Sequence, residues 1–437
     1  MNSNINASLS SIANELAKCT KCAACHASCP TYEISLKESL SARGKIRLAE
    51  AVLNENLTLT NRIANDFGQC LSCMTCETSC PANLQTMVIF DAMRRTIFET
   101  NRPWIARFTY KYILPYPARL NILAKITGLL VVIYNIIPNL FTPLLPFAAN
   151  SMKRKLPDLL QSNLRQQLPL ISKSKVEPAK GRILYFSGCM TDLAFSTIGK
   201  GVVEVLNQVG FDVIFPSQQV CCGAPPYFDG ASNEAKVVAK MNLEMFAKLK
   251  FDSIVCSCAT CASVLKEIYP KLLPDDELAK SISQKVFDFQ QVVFEQKTAT
   301  LFSKVAMGQK KIRVTYHDPC HLKRGIKLYD APRKLLKSIP AIEFVEMESA
   351  DACCGGAGTF SLNHYDMAMK QGEKKAKWIN ESKVDIVVTE CPSCQLQLGD
   401  SINRCIGSDG PIVLSAAELL TQVSFLDDAS PTNERPN

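Results

Sequence analysis

The sequence predicts a multi-domain protein: a small α-helical region at the N-terminus followed by two tandem α/β modules. Three observations carry that prediction. One cysteine spacing occurs twice before residue 100, helical periodicity fills the gaps around it, and beyond Gly181 short β-rich runs alternate with helical stretches, again twice over. At 437 residues the chain has room for two or three domains, and 47% hydrophobic with 21% charged residues is ordinary globular composition. Its 20 cysteines are not ordinary. The opening MNSNINASLS lacks the basic and apolar parts of a leader, so the thiols are expected to stay reduced in a cytoplasm. Clustered cysteines there mean metal or redox chemistry rather than cross-links.

Within residues 1–100, Cys19, Cys22, Cys25 and Cys29 precede Pro30, and Cys70, Cys73, Cys76 and Cys80 precede Pro81 at identical spacing. Successive two-residue gaps wrap the chain into a tight loop whose thiolates converge, and the proline turns the chain away after the fourth. Helical periodicity over Ser41–Leu53 and Leu84–Phe98 predicts helices that separate and brace the two loops. Tetrahedral zinc sites use paired knuckles rather than this run of short steps, so zinc is the weaker reading. The repeat resembles the bacterial two-cluster ferredoxin run, in which the fourth Cys of each run ligates the other cluster. That resemblance implies a small α-helical two-[4Fe-4S] ferredoxin-like domain with crossed ligation. Cys19, Cys22, Cys25 and Cys80 would hold cluster 1, and Cys70, Cys73, Cys76 and Cys29 cluster 2.

Residues 101–180 are expected to form an apolar helix and a linker. Ile126–Met152 carries no charge, but Pro138, Pro143 and Pro146 cut it, leaving the run Ile126–Ile137 with Asn135 inside it, too short to span a bilayer. A buried or interfacial helix fits, and the flanking Arg107, Lys111, Arg119 and Lys125 make peripheral membrane contact an expectation. Charge is lopsided: residues 1–180 hold 21 Lys+Arg against 11 Asp+Glu, and the remainder 28 against 30. The cations are scattered, aromatics are sparse and no recognition motif accompanies them, which argues against nucleic acid as a partner. Excess positive charge instead offsets the anionic centres that thiolates build.

After Gly181, Arg182–Ser187, Phe211–Pro216 and Asp252–Cys256 are β-rich runs separated by helical Gly199–Val209 and Ala235–Leu249. Ile312–Tyr316, Glu343–Met347 and Asp385–Thr389 repeat the pattern, with a helix over Tyr365–Ile379. Two α/β modules are therefore predicted at 181–300 and 310–422, with a polar, disordered tail at 423–437. Their cysteines are duplicated as well. Cys189, Cys221, Cys222, Cys258 and Cys261 recur in register as Cys320, Cys353, Cys354, Cys391 and Cys394. Each lies just beyond a predicted strand, where open α/β sheets gather their ligands. Gly223 and Gly355, directly after the adjacent pairs, are expected to let the backbone approach a bulky centre.

Together with the opening motif Cys19–Tyr32 and the RGKIRL helix Arg43–Leu48, these five-Cys sets resemble the cysteine-rich CCG modules of the glycolate oxidase iron-sulfur subunit family. The cysteine-rich subunits of heterodisulfide reductase and of anaerobic glycerol-3-phosphate dehydrogenase share such modules, and the resemblance covers nearly the whole chain. It implies an iron-sulfur electron-transfer subunit with two [4Fe-4S] clusters and ligand sets for one or two additional noncubane [4Fe-4S] clusters. No Rossmann fingerprint, P-loop or nucleophile elbow is present, and Gly355, Gly356 and Gly358 match no phosphate loop, so no flavin or NAD is expected on this chain. The implied role is to relay electrons from an FAD-binding dehydrogenase subunit, acting on glycolate or lactate, toward a quinone-type acceptor. The implied place is the cytoplasm, peripheral on the inner face of the membrane. Glycerol 3-phosphate as the substrate, or heterodisulfide-reductase-like catalysis on the CCG modules, are the alternatives. No residue is assigned a catalytic role. His317 and His321 bracket Cys320 and are expected to hydrogen-bond sulfur, while His26 sits in the first loop as a tuner of potential or an exposed bystander. Cys256 and Cys405 fall outside both repeats and are read as buried structural thiols.

Overall fold

The computed structural model describes residues 12–101, 104–136, 157–296 and 311–425. Most of the expected tail, and residues 137–156 of the expected linker, lie outside the described residues. Residues 423–425 belong to the helix Ala416–Phe425 rather than to a tail.

The N-terminal region is built of short helices because cysteine loops interrupt it. The longer ones, Ala42–Leu53 and Thr86–Asn101, bracket Asn61–Gly68. Ser41 starts the first of them by accepting from the Gly44 N–H, and Thr60 starts Asn61–Gly68 by accepting from Ile63. Ile46, Ala49 and Val52 face Phe67, Phe90 and Met93 to make the core of this region. The helices Trp104–Tyr112 and Pro117–Ile136 follow. Among the described residues no helix is long and apolar enough to cross a membrane.

The first module has five strands: β1 (Ile171–Ser172), β2 (Gly181–Phe186), β3 (Phe211–Ile214), β4 (Ser253–Cys256) and β5 (Val286–Asp288), in the order β1-β3-β2-β4-β5. Only β1 runs antiparallel to its neighbour, with Ile171 opposite Ile214. The second module has β6 (Ile312–Tyr316), β7 (Ile342–Phe344), β8 (Ile386–Val388) and β9 (Ile412–Leu414), all parallel, in the order β7-β6-β8-β9. Helices cover both faces, so the central strands read as apolar runs rather than as an alternation. The edge strands β1, β5 and β9 were not foreseen, since two or three residues are too few for a period to show.

The two modules share one core. Ile198, Val202 and Leu206 on the helix Ser196–Gln208 pack with Leu419 and Leu420 on the helix Ala416–Phe425, and Tyr185 and Tyr316 lie in the same cluster. Gly201 makes the approach possible, because a Cβ there would sit 3.1 Å from the Ala417 carbonyl oxygen. The N-terminal region clasps this body through hydrogen bonds: Tyr227 Oη donates to Asp91 at 2.6 Å, and Tyr110 Oη donates to Asp229 at 2.6 Å.

Candidate functional site

In both N-terminal loops, matching residues take left-handed backbone. These are Lys21 and Ala23 (φ 61° and 68°) and Ser72 and Met74 (φ 51° and 58°). Side chains resist that conformation, so its recurrence marks a shape that the loop requires. Alternating backbone hands turn successive N–H groups inward, a concavity that suits an anion. Cys29 lines one cavity with Cys70, Cys73 and Cys76. Cys25 has Cys19, Cys80 and Cys22 as its neighbours, and burial together with those thiols pushes it up to about 11. Lys45, fully buried, lines the first of these cavities and donates from Nζ to the Leu40 carbonyl at 2.5 Å. Burial draws its pKa down, while the Cys70 and Cys29 thiols oppose the shift. Four converging thiols beside a buried ammonium are a donor set that fits an anionic iron-sulfur centre.

In each α/β module the cysteines sit past the carboxyl ends of strands: Cys189 after β2, the Cys221–Cys222 pair after β3 and Cys258 after β4. Their sulfurs touch in sequence, Cys189 to Cys221, Cys221 to Cys222, Cys222 to Cys261 and Cys261 to Cys258. Hydrogen bonds from Cys221 and Cys261 to the Cys222 sulfur pull it down to about 5. Cys354 repeats this, held well below the usual thiol range by Cys353, Cys394 and, further, His317. Cys320 packs near Cys354 and Cys391. Gly223 and Gly355 are left-handed (φ 91° and 87°), which already favours glycine, and the helix behind each leaves no room for a Cβ. A Cβ would fall 2.9 Å from Val238 Cγ2 in one case and 2.6 Å from the Ala368 carbonyl oxygen in the other. The expected backbone approach is present as well, the Gly223 N–H donating to Cys221 Sγ at 3.4 Å and the Gly355 N–H to Cys353 Sγ at 3.5 Å, and Gly188 adds another, since a Cβ there would lie 2.7 Å from Cys261 Sγ.

The centres are contiguous. Cys258 of the first module is in hydrogen-bonding contact with Cys391 of the second, and the Ala259 N–H donates to the Glu390 carbonyl at 2.8 Å alongside. Cys73 of the second N-terminal loop packs in one apolar cluster with Cys353 and Cys320. His321 touches all three parts. Its Nδ1 lies 3.0 Å from Thr260 Oγ1, its Nε2 lies 3.3 Å from the Ser72 carbonyl oxygen, and its ring stacks on Phe228 at 5.0 Å. His321 thus bonds backbone and hydroxyl oxygens, not the sulfur that the sequence suggested. His317 does face sulfur, within 4.8 Å of Cys354 and Cys394. His26 pairs with Glu38 at 2.6 Å, its ring packed at a tilt against Tyr32. Cys256 is buried, whereas Cys405 is exposed at the end of the helix Pro392–Cys405, correcting the expectation for that thiol.

Sequence reasoning missed Gly188, Lys45 and Lys375. Lys375 is fully buried and donates to the Ser349 and Ala350 carbonyls at 2.6 and 2.9 Å. Burial holds it down to about 8, opposed by Cys354. A signal existed for both lysines, since each falls in phase with an apolar helical stripe: Lys45 with Ala42, Ile46 and Ala49, and Lys375 with Ala368, Ala376 and Ile379.

Known proteins carry the same arrangement. A family model described as a 4Fe-4S dicluster domain matches residues 15–84, and one described as a cysteine-rich domain matches residues 183–266 and 314–399. The chain is 30% identical over 407 residues to a probable glycolate oxidase iron-sulfur subunit of Bacillus subtilis, covering 89% of this chain and 90% of that one. It is 26% identical over 400 residues to the glycolate oxidase iron-sulfur subunit of Escherichia coli, 88% of this chain and 90% of that one. Lactate utilization protein A of Oceanobacillus iheyensis is 32% identical over 227 residues, 51% of this chain and 90% of that one.

Proposed function

We infer the function from one premise: this chain belongs to the glycolate oxidase iron-sulfur subunit family. It is an iron-sulfur subunit of a hydroxy-acid dehydrogenase. In our reading a separate FAD-binding subunit oxidises glycolate or lactate, and this chain relays the electrons toward a quinone-type acceptor from the cytoplasmic face of the membrane.

The observation that supports a relay is the file of sulfurs. It runs from the second N-terminal loop at Cys73, through Cys353 and Cys354, Cys394 and Cys391, to Cys258, Cys261, Cys222, Cys221 and Cys189. Cys19, Cys22, Cys25 and Cys80 are the proposed ligands of one [4Fe-4S] cluster, and Cys70, Cys73, Cys76 and Cys29 of the other. The two five-Cys sets are the proposed ligands of noncubane centres. Clusters bound at these thiolates supply one-electron transfer. The chain's own part is to fix the thiolates in place, to bury nine of the eighteen and partly cover eight more, and to set Lys45, Arg94 and Lys375 against the negative charge. Cys22 is the one exposed thiol among the proposed ligands, which supports the first loop as the proposed point of entry for electrons.

Iron and acid-labile sulfide on anaerobically purified protein, with EPR after dithionite reduction, test this reading. About sixteen iron atoms per chain are expected for four four-iron centres. Cys73→Ser should lose about four of them. About eight in the unmodified chain would end the relay at the N-terminal domain.

A further inference from the structure

The two five-Cys sets are duplicates in their sulfurs but not in their surroundings. Three residues before the leading cysteine stands Phe186 in the first module and His317 in the second. Four residues after it stands Leu193 in the first and Arg324 in the second. A third position is matched through the helices behind the Cys-Cys-Gly turns, where Ala235 lies against Gly223 as Ala368 lies against Gly355. Seven residues further along those helices, Asn242 of the first module answers to Lys375 of the second.

Each of these differences brings nitrogen toward sulfur in the second module. One ring nitrogen of His317 lies within 4.8 Å of the Cys354 and Cys394 sulfurs, and its buried Nδ1 finds no oxygen partner among the described residues. Arg324 acts on Cys320 and Cys73, with Nη2 donating to Asp351 at 2.9 Å and the buried Nη1 unpartnered among the described residues. Lys323 shares that one carboxylate, also at 2.9 Å. Lys375 Nζ donates only to the Ser349 and Ala350 carbonyls and faces Cys354 and Cys353. Of the carboxylates it also faces, Asp318 is paired by Arg333 at 2.8 Å and Asp351 by Arg324. In the first module Asn242 is neutral and bonds the Cys221 carbonyl at 3.1 Å, while Arg165, beside Cys189 and Cys221, is closed by Asp192 at 2.7 Å. Backbone and solvent do not separate the sets: both turns give a glycine N–H to sulfur, and three cysteines are buried in one set against four in the other.

An electron added to a centre held by thiolates adds negative charge where burial makes charge costly, and a cation or an N–H near the sulfurs offsets that cost. We propose that His317, Arg324 and Lys375 make the second module's set the more readily reduced of the two. This rests on the relay reading and deepens it. The second set has Cys73 on one side and Cys258 on the other, so an electron coming from the N-terminal loops rests there before it passes to the first module. The balance is one electron gained by iron, supplied by the hydroxy acid through the partner subunit, with no bond made or broken.

The test is potentiometry followed by EPR on the full chain, purified anaerobically, with iron content checking every variant. The reduction lost in Cys189→Ser marks the first module and the one lost in Cys320→Ser the second, and the second should lie at the higher potential. His317→Phe, which copies the first module, and Lys375→Met should each make the second module's reduction about tenfold less favourable, about 59 mV for one electron, and leave the first module's in place. Because Lys375→Met strands two carbonyls, His317→Phe decides alone if the lysine variant loses iron. A first module that reduces at the higher potential overturns the proposal. So does a fully loaded His317→Phe chain whose second reduction stays put, or one in which both reductions fall equally, since that is loosening of the fold and not local charge. Failure of the relay reading is recognised separately, by an iron count of about eight rather than sixteen in the unmodified chain, which removes the proposal with it.

Discussion

His321→Ala should loosen the joint between the three cluster-bearing parts. The Ser72 carbonyl only accepts, so Nε2 carries the proton and donates to it, and Nδ1 accepts from the Thr260 hydroxyl. Burial lowers the pKa of this ring, which keeps it in that neutral form. Two hydrogen bonds at about 1 kcal/mol net each, and a stack on Phe228 at 13° and 5.0 Å worth about 1 kcal/mol, total about 3 kcal/mol. That corresponds to roughly a hundredfold change in the opening equilibrium. Hydrogen exchange on the holoprotein reads this directly: amides of residues 70–76 should exchange about a hundredfold faster. Phe228→Leu keeps both hydrogen bonds and should cost only the stack, about 1 kcal/mol, with little further loss when combined with His321→Ala. Exchange in 70–76 that changes less than about threefold would show that His321 fills space without joining the parts, and the reasoning would fail.

Gly230 is left-handed (φ 90°), and a Cβ there would sit 2.1 Å from the Arg94 carbonyl oxygen, so Gly230→Ala should cost about 2–4 kcal/mol in urea denaturation. Gly407→Ala is the control, with similar backbone (φ 107°) and open space around it, and should cost about 1 kcal/mol; equal losses would mean that the N-terminal joint is not what suffers. Burial pushes Asp288 from 3.8 up to about 7, although its carboxylate caps the helix Phe289–Glu295 through the Gln290 N–H at 3.0 Å. The folded state then holds a proton that the unfolded state releases, so this group's stabilisation is complete below about pH 4 and is lost as pH rises through about 7. Asp288→Asn keeps the cap and should flatten the stability profile across that window, measured by denaturant midpoints; an unchanged slope would place the titration elsewhere.

Much of the site was legible because its grammar is local. Two-residue gaps between cysteines constrain only the loop that contains them, and Cys29 and Cys80 were linked to the opposite loops by the resemblance to two-cluster ferredoxins. The strands before Cys189 and Cys320 could be read because parallel strands buried on both faces are short, apolar and β-branched. The edge strands Ile171–Ser172 and Ile412–Leu414 could not, since two or three residues show no period and only their pairing marks them as strands.

What the chain by itself determined is which residues form each set: two four-Cys runs, two five-Cys sets, and a helix with cations and no acids. Tertiary structure alone decided which sets are neighbours. Cys258 meets Cys391, Cys73 meets Cys353, and the inner face of Pro117–Ile136 covers Cys221, all across long stretches of sequence. The physical reason is that periodicity specifies that a face must be buried, not against what. The glycines show the same division: the Cys-Cys-Gly pattern announced a special backbone, but only packing revealed that the helices carrying Val238 and Ala368 also crowd it, and that Gly188 is a further glycine that makes room for sulfur.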